Sequence, residues 1–314
     1  EALVAQSEIE ASANGDQTQR SCFAVFVLSC FGEVHRTRQP QVLSQSVFQA
    51  YAEKALASGA SPKGLEQAFA AALEISPSMW SQIKASRPIG DKMARQIEQH
   101  CGKPAGWLDD VRGLRILCLA SGGGQQAPIL AAAGAQVTVF DASAGQLAQD
   151  RHVAEREGLA LTCVQGDMRD LGVFADASFD VIFHPISNLY VPDVRPVWRE
   201  CARVLTTGGR LLSSFWNPVV FVEDRDPALR EQGLVRPAWR LPYSDVADLP
   251  PEAIAAKRER NEALVFGHTL ADQIGGQLDA GLVLTGFHED WQPHARCVIE
   301  KFVPTFIATR SMKV

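Results

Sequence analysis

From Leu114 onward the chain alternates short apolar runs with longer amphipathic ones. Leu114–Ala120, Gln136–Phe140, Leu159–Gln165, Phe179–His184 and Arg210–Phe215 read as buried strands. Between them, Gln125–Ala133, Ser143–Glu157 and Val194–Val204 have helical character. Strands alternating with helices predict an α/β domain, a parallel sheet covered on both faces. A helix over Thr269–Ala280 and strands over Leu282–His288 and Phe302–Thr309 extend the pattern to the end of the chain.

The texture before this is different. From about Val42 to Asp110 the pattern is helical, with helices expected over Leu65–Leu73 and Pro77–Ala85. Pro77 suits a first helical turn. Trp80 and Ile83, three apart, would face a core. That leaves Ser78, Ser81, Gln82 and Ala85 outward. Residues 1–40 show no usable periodicity and are left unassigned, as a partly disordered tail. Within them Ser21–Phe31 is apolar but too short to cross a bilayer, and no membrane association is expected. The expected domains are thus 41–110 and 111–314, joined by the short junction Gly106–Gly113.

Composition supports this division and narrows the chemistry. A 46% hydrophobic and 21% charged chain of 314 residues can bury two cores. Its net charge of -6 argues against whole-chain attraction to nucleic acid or anionic membranes. Residues 41–110 hold seven basic and seven acidic side chains, so this domain offers few phosphate contacts. The seven cysteines include no CxxC pair. They read as reduced, packed thiols of a cytoplasmic protein, and no metal site is predicted.

Candidate chemistry gathers at the strand ends. Ser121-Gly-Gly-Gly124 follows the first strand and opens a helix, where glycines let backbone approach a ligand. Asp141 ends the next strand about 20 residues on, the place of a ribose-binding acid. Taken alone it could merely cap the helix beginning near Ser143, but the glycine loop favours the ligand. Asp167, in Gln165-Gly-Asp-Met168, could accept from an adenine amine with Met168 against the ring, or could belong to a simple turn. The fourth strand ends in Phe183-His-Pro-Ile-Ser-Asn188. Open parallel sheets bind ligands at such C-terminal strand ends. The loop lacks G-x-G-x-x-G spacing, which leaves nicotinamide dinucleotide binding a minor alternative.

The stretches RILCLASGGGQQAPILAAAGAQVTVFDAS, VQGDMRDL, SFDVIFHPISNLY, VWRECARVLTTGGRLLSSFWNP, FGHTLADQIGGQLDAGLVLTGF and VPTFIATRSMK carry a further inference. In this order, across 111–314, they resemble class I methyltransferases of the methyltransferase domain 11 type. The resemblance implies a Rossmann-like, seven-stranded sheet with helices on both faces and a last strand antiparallel to the rest. It implies S-adenosylmethionine as methyl donor and a small molecule as acceptor. Carried across, it gives Ala120, Ser121, Gly122, Gly123 and Gly124 to the methionine portion, with Gln125, Ala142 and Gln146 beside them. Asp141 falls to the ribose, Asp167 and Met168 to the adenine, and His184, Pro185 and Ile186 close the pocket. Cys118 stands where an acid is usual and Ala120 replaces the first glycine, so Ser121 or Gln125 would serve the donor's amino group. Asn188, Tyr190 and His268 are candidates for the acceptor side. His268 is a candidate general base, with a structural cap as its alternative. The segment Phe221–Val265 could cover the acceptor.

Gly64–Asp109, above all ISPSMWSQIKASRPIGDKMARQIE, resembles the Cro/repressor-type helix-turn-helix. That implies a small all-α domain ahead of the sheet, with Pro77–Ala85 as recognition helix. Ser78, Ser81 and Gln82 would face base edges, and Lys84 and Arg87 phosphates. Glu74 stands where the motif's turn often has glycine. The alternative is a packing or dimerisation module, with a homodimer as its consequence. Two functions remain in view: a cytoplasmic small-molecule methyltransferase, or a DNA-binding regulator whose Rossmann-like domain senses S-adenosylmethionine without catalysis.

Overall fold

The computed structural model describes residues 47–85, 89, 91–103, 111–292 and 294–314. These fall into two compact units, 47–111 and 112–314. The N-terminal tail with Ser21–Phe31, Arg87, and residues 106–110 of the junction lie outside the described residues.

The first unit contains helices α1 (Gln49–Ala57), α2 (Leu65–Ala72), α3 (Pro77–Lys84) and α4 (Asp91–His100). Phe69, Leu73, Trp80, Ile83 and Ile97 form its core, with Phe48 and Tyr51 packed on them. The Phe69 and Trp80 rings meet edge to face at 5.0 Å. The start of α3 follows the expected chemistry: the Ser76 hydroxyl accepts from the Met79 amide at 3.1 Å, and Pro77 takes the first turn. Trp80 and Ile83 point inward, while Ser78, Ser81, Gln82 and Ala85 are exposed.

Between α2 and α3, Glu74 adopts φ +55°. The Glu74 amide donates to Ala71 O and the Ile75 amide to Ala70 O, both at 3.0 Å. This is a Schellman end, whose left-handed residue is usually glycine. Glu74 accepts the strain because both amides are satisfied and the Gln96 amide donates to Leu73 O at 2.8 Å.

The second unit is built on strands β1 (Arg115–Leu119), β2 (Gln136–Asp141), β3 (Leu161–Gln165), β4 (Phe179–Pro185), β5 (Leu205–Trp216), β6 (Leu282–Asp290) and β7 (Phe306–Lys313). Its longer helices are α5 (Gln126–Ala132), α6 (Ala144–Glu157), α7 (Arg195–Val204) and α8 (Pro251–Glu259). The sheet order is β3-β2-β1-β4-β5-β7-β6. The first five strands pair in parallel and β7 runs antiparallel to both neighbours. The resemblance implied this sheet. Order reverses at β1, which pairs with β2 on one side and β4 on the other. That switch opens a crevice at the strands' C-terminal ends. Leu117, Leu119, Ile182, Leu211, Val197 and Trp198 pack into one buried cluster beneath it.

Three expectations need correction. The strand predicted over Phe302–Thr309 begins only at Phe306 and runs to Lys313. Ile299–Lys301 form a 3-10 turn, and Asn217 holds the following segment through Pro304 O and Thr305 O. The fifth strand starts earlier than Arg210, at Leu205, where it meets Phe179 across an irregular register. The helix predicted over Thr269–Ala280 opens as a π-helical turn, Ala271–Gly275, before Gly276–Asp279 resumes α geometry. The Trp198 indole donates to Asp272 O at 2.9 Å, which draws that carbonyl out of the helical ladder.

The chain between β5 and β6 folds into its own small layer. Tyr243–Ser244 pairs with Phe266–Gly267. The buried Asp245 carboxylate accepts from the Tyr243 hydroxyl and Lys257 ammonium at 2.7 Å and from the Val265 amide at 2.8 Å. Among the described residues no helix is long and apolar enough to cross a membrane.

We expect Glu74→Gly to stabilise the first unit by about 1 kcal/mol, since it removes a left-handed side chain. Thermal melts of the two proteins check this. An unchanged or lower midpoint would show that the turn holds no strain.

Candidate functional site

The loop after β1 sits at the switch point. Its first residue, Ala120, has φ +48°, left-handed backbone at the position where the resemblance implied glycine. Gly123 and Gly124 follow at φ +128° and +73°. A Cβ on Gly123 would come within 2.7 Å of Gln146 Oε1, which places the Gln146 side chain against the loop. Gln125 and Ala142 are exposed beside it.

Asp141, ending β2, accepts from the backbone on both sides of it and is not itself the cap of α6. Its Oδ2 accepts from the Gly122 amide at 3.0 Å, and its Oδ1 from the Ser143 amide at 2.8 Å. The Ser143 hydroxyl in turn accepts from Gln146 N at 3.3 Å and caps α6. A carboxylate has about four lone-pair positions. Two remain for a ligand.

Sequence reasoning missed Asp150. It lies on α6, is fully buried, and accepts from Gly123 N at 2.9 Å and Gly124 N at 3.0 Å. The sign of it was present: Leu147, Asp150 and Ala154 recur at helical spacing and are the buried positions of α6. Burial pushes its carboxyl up, and the two glycine amides oppose that shift.

On the far side of β2, Gly166 makes way for the Phe140 ring, whose Cζ would lie 2.2 Å from an added Cβ. Asp167 follows, exposed and bound by its own neighbour: the Arg169 guanidinium donates to both carboxylate oxygens and the Arg169 amide to Oδ1. Arg169 holds the Asp167 carboxyl below the usual carboxylate range. Met168 turns into the core.

The β4 end departs further from expectation. His184 is fully buried, 2.9 Å from Leu119 O through Nδ1 and edge-on to Trp198 at 5.9 Å. A carbonyl only accepts, so Nδ1 carries the proton. Burial pushes the imidazole down to about 4, and its Nε2 has no hydrogen-bond partner. The side chain therefore packs in the core instead of lining a pocket. Pro185 is also buried, whereas Ile186, half-buried, adopts φ +56°. A β-branched residue is rare there, and such strain collects where the backbone is over-determined. The Ile186 amide donates to Ser214 O at 2.9 Å.

Asn188 and Gln273 exchange side-chain hydrogen bonds of 3.3 Å in both directions, and both are buried. Gln277 continues this polar layer to Thr309 and Ser311 of β7. Neither it nor Gln273 was a sequence candidate. His268 is buried with Nε2 3.0 Å from Asn188 O, and burial lowers its proton affinity. It does not cap the following turn: the Thr269 hydroxyl does, accepting from Asp272 N at 3.1 Å. Of the acceptor-side candidates Tyr190 alone is largely solvent-facing, at 49% exposure.

In the first unit the Lys84 ammonium lies 2.6 Å from both Glu66 carboxylate oxygens. The cation expected on phosphate is thereby paired within its own unit. Among the described residues no group of three or more His, Cys, Asp or Glu side chains is placed to hold a metal.

Comparison with known proteins places this site in a family. Residues 117–213 match the model of a methyltransferase domain. Over 211 residues the chain is 52% identical to the uncharacterized methyltransferase YbaJ of Bacillus subtilis, a match covering 67% of this chain and 81% of that protein. A ubiquinone biosynthesis O-methyltransferase of Xanthomonas oryzae is 37% identical over 113 residues, 34% of this chain and 45% of the relative. Among solved structures, an S-adenosylmethionine dependent methyltransferase from Mesorhizobium loti aligns at 20% identity and a TM-score of 0.49, over 65% of this chain and 93% of that one. The fold and the site's strand ends define a Rossmann-like methyltransferase domain. The chain belongs to the methyltransferase family that includes YbaJ.

His184 generates a pH prediction. Its folded-state proton affinity is depressed, so the unfolded chain protonates first as the pH falls. Stability should drop from about pH 6.5 downward and level off near the folded value of about 4, a loss of roughly 3 kcal/mol. His184→Leu should flatten that stretch in denaturant titrations across pH. An unaltered slope would show that His184 is not the group responsible.

Proposed function

We propose that residues 112–314 transfer a methyl group from S-adenosylmethionine to a small-molecule acceptor. The observation that carries this reading is Asp141, braced to Gly122 at the switch point while two of its lone-pair positions remain for a ribose diol. The loop residues fit the same ligand. Ser121 Oγ is buried without a hydrogen bond of ordinary geometry, with the Cys118 thiol against it. It supplies an acceptor for the donor's amino group where the usual acid is missing.

When bound, the donor supplies an electrophilic methyl group. The chain's task is placement, which can provide much of the rate enhancement. Asp141 fixes the ribose, Asp167 keeps a lone pair for the adenine amine, and Met168 supports the ring from the core. Pro185 and Ile186 bound the pocket where β4 ends. His268, given over to Asn188 O, steadies the turn that carries Tyr190 toward the acceptor. The layer of Trp216, Phe221, Trp239 and Tyr243 packs together beyond β5 and covers that side.

For helices α1–α4 we favour a packing or dimerisation role over DNA reading. Ser78, Ser81 and Gln82 are exposed, but Lys84 is bound to Glu66. The five cysteines of the described residues are free thiols, in keeping with a cytoplasmic enzyme.

Calorimetry should show S-adenosylmethionine binding, and Asp141→Ala should weaken it by roughly 1.5–3 kcal/mol, tenfold or more, with circular dichroism unchanged. Equal affinity would remove the ribose assignment. A metabolite screen with labelled methyl donor should reveal turnover; binding without turnover on any acceptor would favour a sensor instead.

A further inference from the structure

Resting on that cofactor reading, we propose that Asp150 is a positioning and specificity-determining residue: it turns the glycine-loop amides inward and selects a cationic donor over phosphate-bearing nucleotides. Three consecutive loop amides end on carboxylates. Gly122 N donates to Asp141 Oδ2 at 3.0 Å, Gly123 N to Asp150 Oδ2 at 2.9 Å and Gly124 N to Asp150 Oδ1 at 3.0 Å. Glycine loops that bind pyrophosphate work the other way, presenting unpaired amides to the anion. Here those donors are consumed from behind.

The charge balance points in the same direction. Asp150 is 0% exposed, so water screens its field poorly. Asp141 adds a second negative charge close enough to oppose ionisation of Asp150. A phosphate in this loop would meet two like charges and no free amide of Gly122, Gly123 or Gly124. A ligand carrying a sulfonium and an ammonium group would meet attraction from both carboxylates.

Strand β1 brings no charge of its own to the loop. Cys118 is fully buried on it, and burial pushes its thiol up to about 12, which leaves it neutral. The negative charge reaches the loop from α6 instead. Gly123 at φ +128° and Gly124 at φ +73° are the backbone turns that aim both amides at Asp150. A side chain at either would be strained.

The test uses the full chain, with S-adenosylmethionine and ADP as probes in calorimetry. Asp150→Asn keeps the size of the side chain, removes its charge and leaves one acceptor for two amides. It should bind S-adenosylmethionine at least tenfold more weakly and gain affinity for ADP, with an unchanged circular dichroism spectrum. Unaltered S-adenosylmethionine affinity overturns the inference. So does equal weakening of both ligands, which a purely structural role would give. If Asp150→Asn does not fold, competition on the wild-type protein decides. Adenosine should displace labelled S-adenosylmethionine while ADP does not, and displacement by ADP as effective as by adenosine overturns the inference. Wild-type protein that fails to bind S-adenosylmethionine overturns the cofactor reading itself, a result distinct from binding that ignores Asp150.

Discussion

A glycine loop at a strand end has to satisfy its own amides without the ladder of a helix or sheet, and here two carboxylates do so. Asp141 and Asp150 accept the amides of Gly122, Gly123 and Gly124. Charge-assisted hydrogen bonds of this kind are about twice as strong as neutral ones. They tie the end of β1 to the end of β2 and to α6 at one point. The left-handed Gly123 and Gly124 turn their amides to Asp150, and Asp141 holds the amide of Ser143, whose hydroxyl caps α6. Burying Asp150 is unfavourable in itself, as the upward push on its carboxyl shows. The loop geometry offsets that cost by giving both oxygens a donor.

A second constraint acts on the turn after β4. Asn188, Gln273, Gln277, Thr309 and Ser311 form a buried polar layer that joins the turn after β4 to the π-helical segment and to β7. His184, Ser213 and Thr309 are register partners across β4, β5 and β7. Of these, His184 Nε2 and Ser213 Oγ lack partners. An orphaned buried acceptor typically costs about 1–3 kcal/mol. The layer is thus specific where it closes and expensive where it does not, which restricts the turn to one arrangement. The π-helical turn belongs to the same system, because Trp198 takes the Asp272 carbonyl that a regular helix would need.

Much of this was legible in the sequence because strand and helix periods report burial directly. Leu114–Ala120, Gln136–Phe140 and Phe179–His184 differ from the observed strands by a residue at most ends. Glu74 was singled out only through the helix-turn-helix resemblance, and its backbone is left-handed. What escaped was side-chain direction. His184 lies at a strand end where a pocket residue was expected, yet its ring faces the core, since period-two alternation says which residues share a face but not which face holds the ligand. Phe302–Thr309 was placed four residues early because apolar content does not reveal that Asn217 holds Pro304 and Thr305 outside the ladder.

Asp150 shows the sharper limit. Its inward position was readable from the spacing of Leu147 and Ala154, but its function depends on a contact with residues 26 and 27 positions earlier. A carboxylate on the buried stripe of a helix violates the local pattern, and such violations concentrate where a site needs them. Cys118 lies fully buried on β1 and is neutral, so the carboxylates under the loop come from β2 and α6. Motif reading follows the chain and does not register this. The arrangement becomes visible only when the ends of β1 and β2 and helix α6 are brought to the three glycine amides.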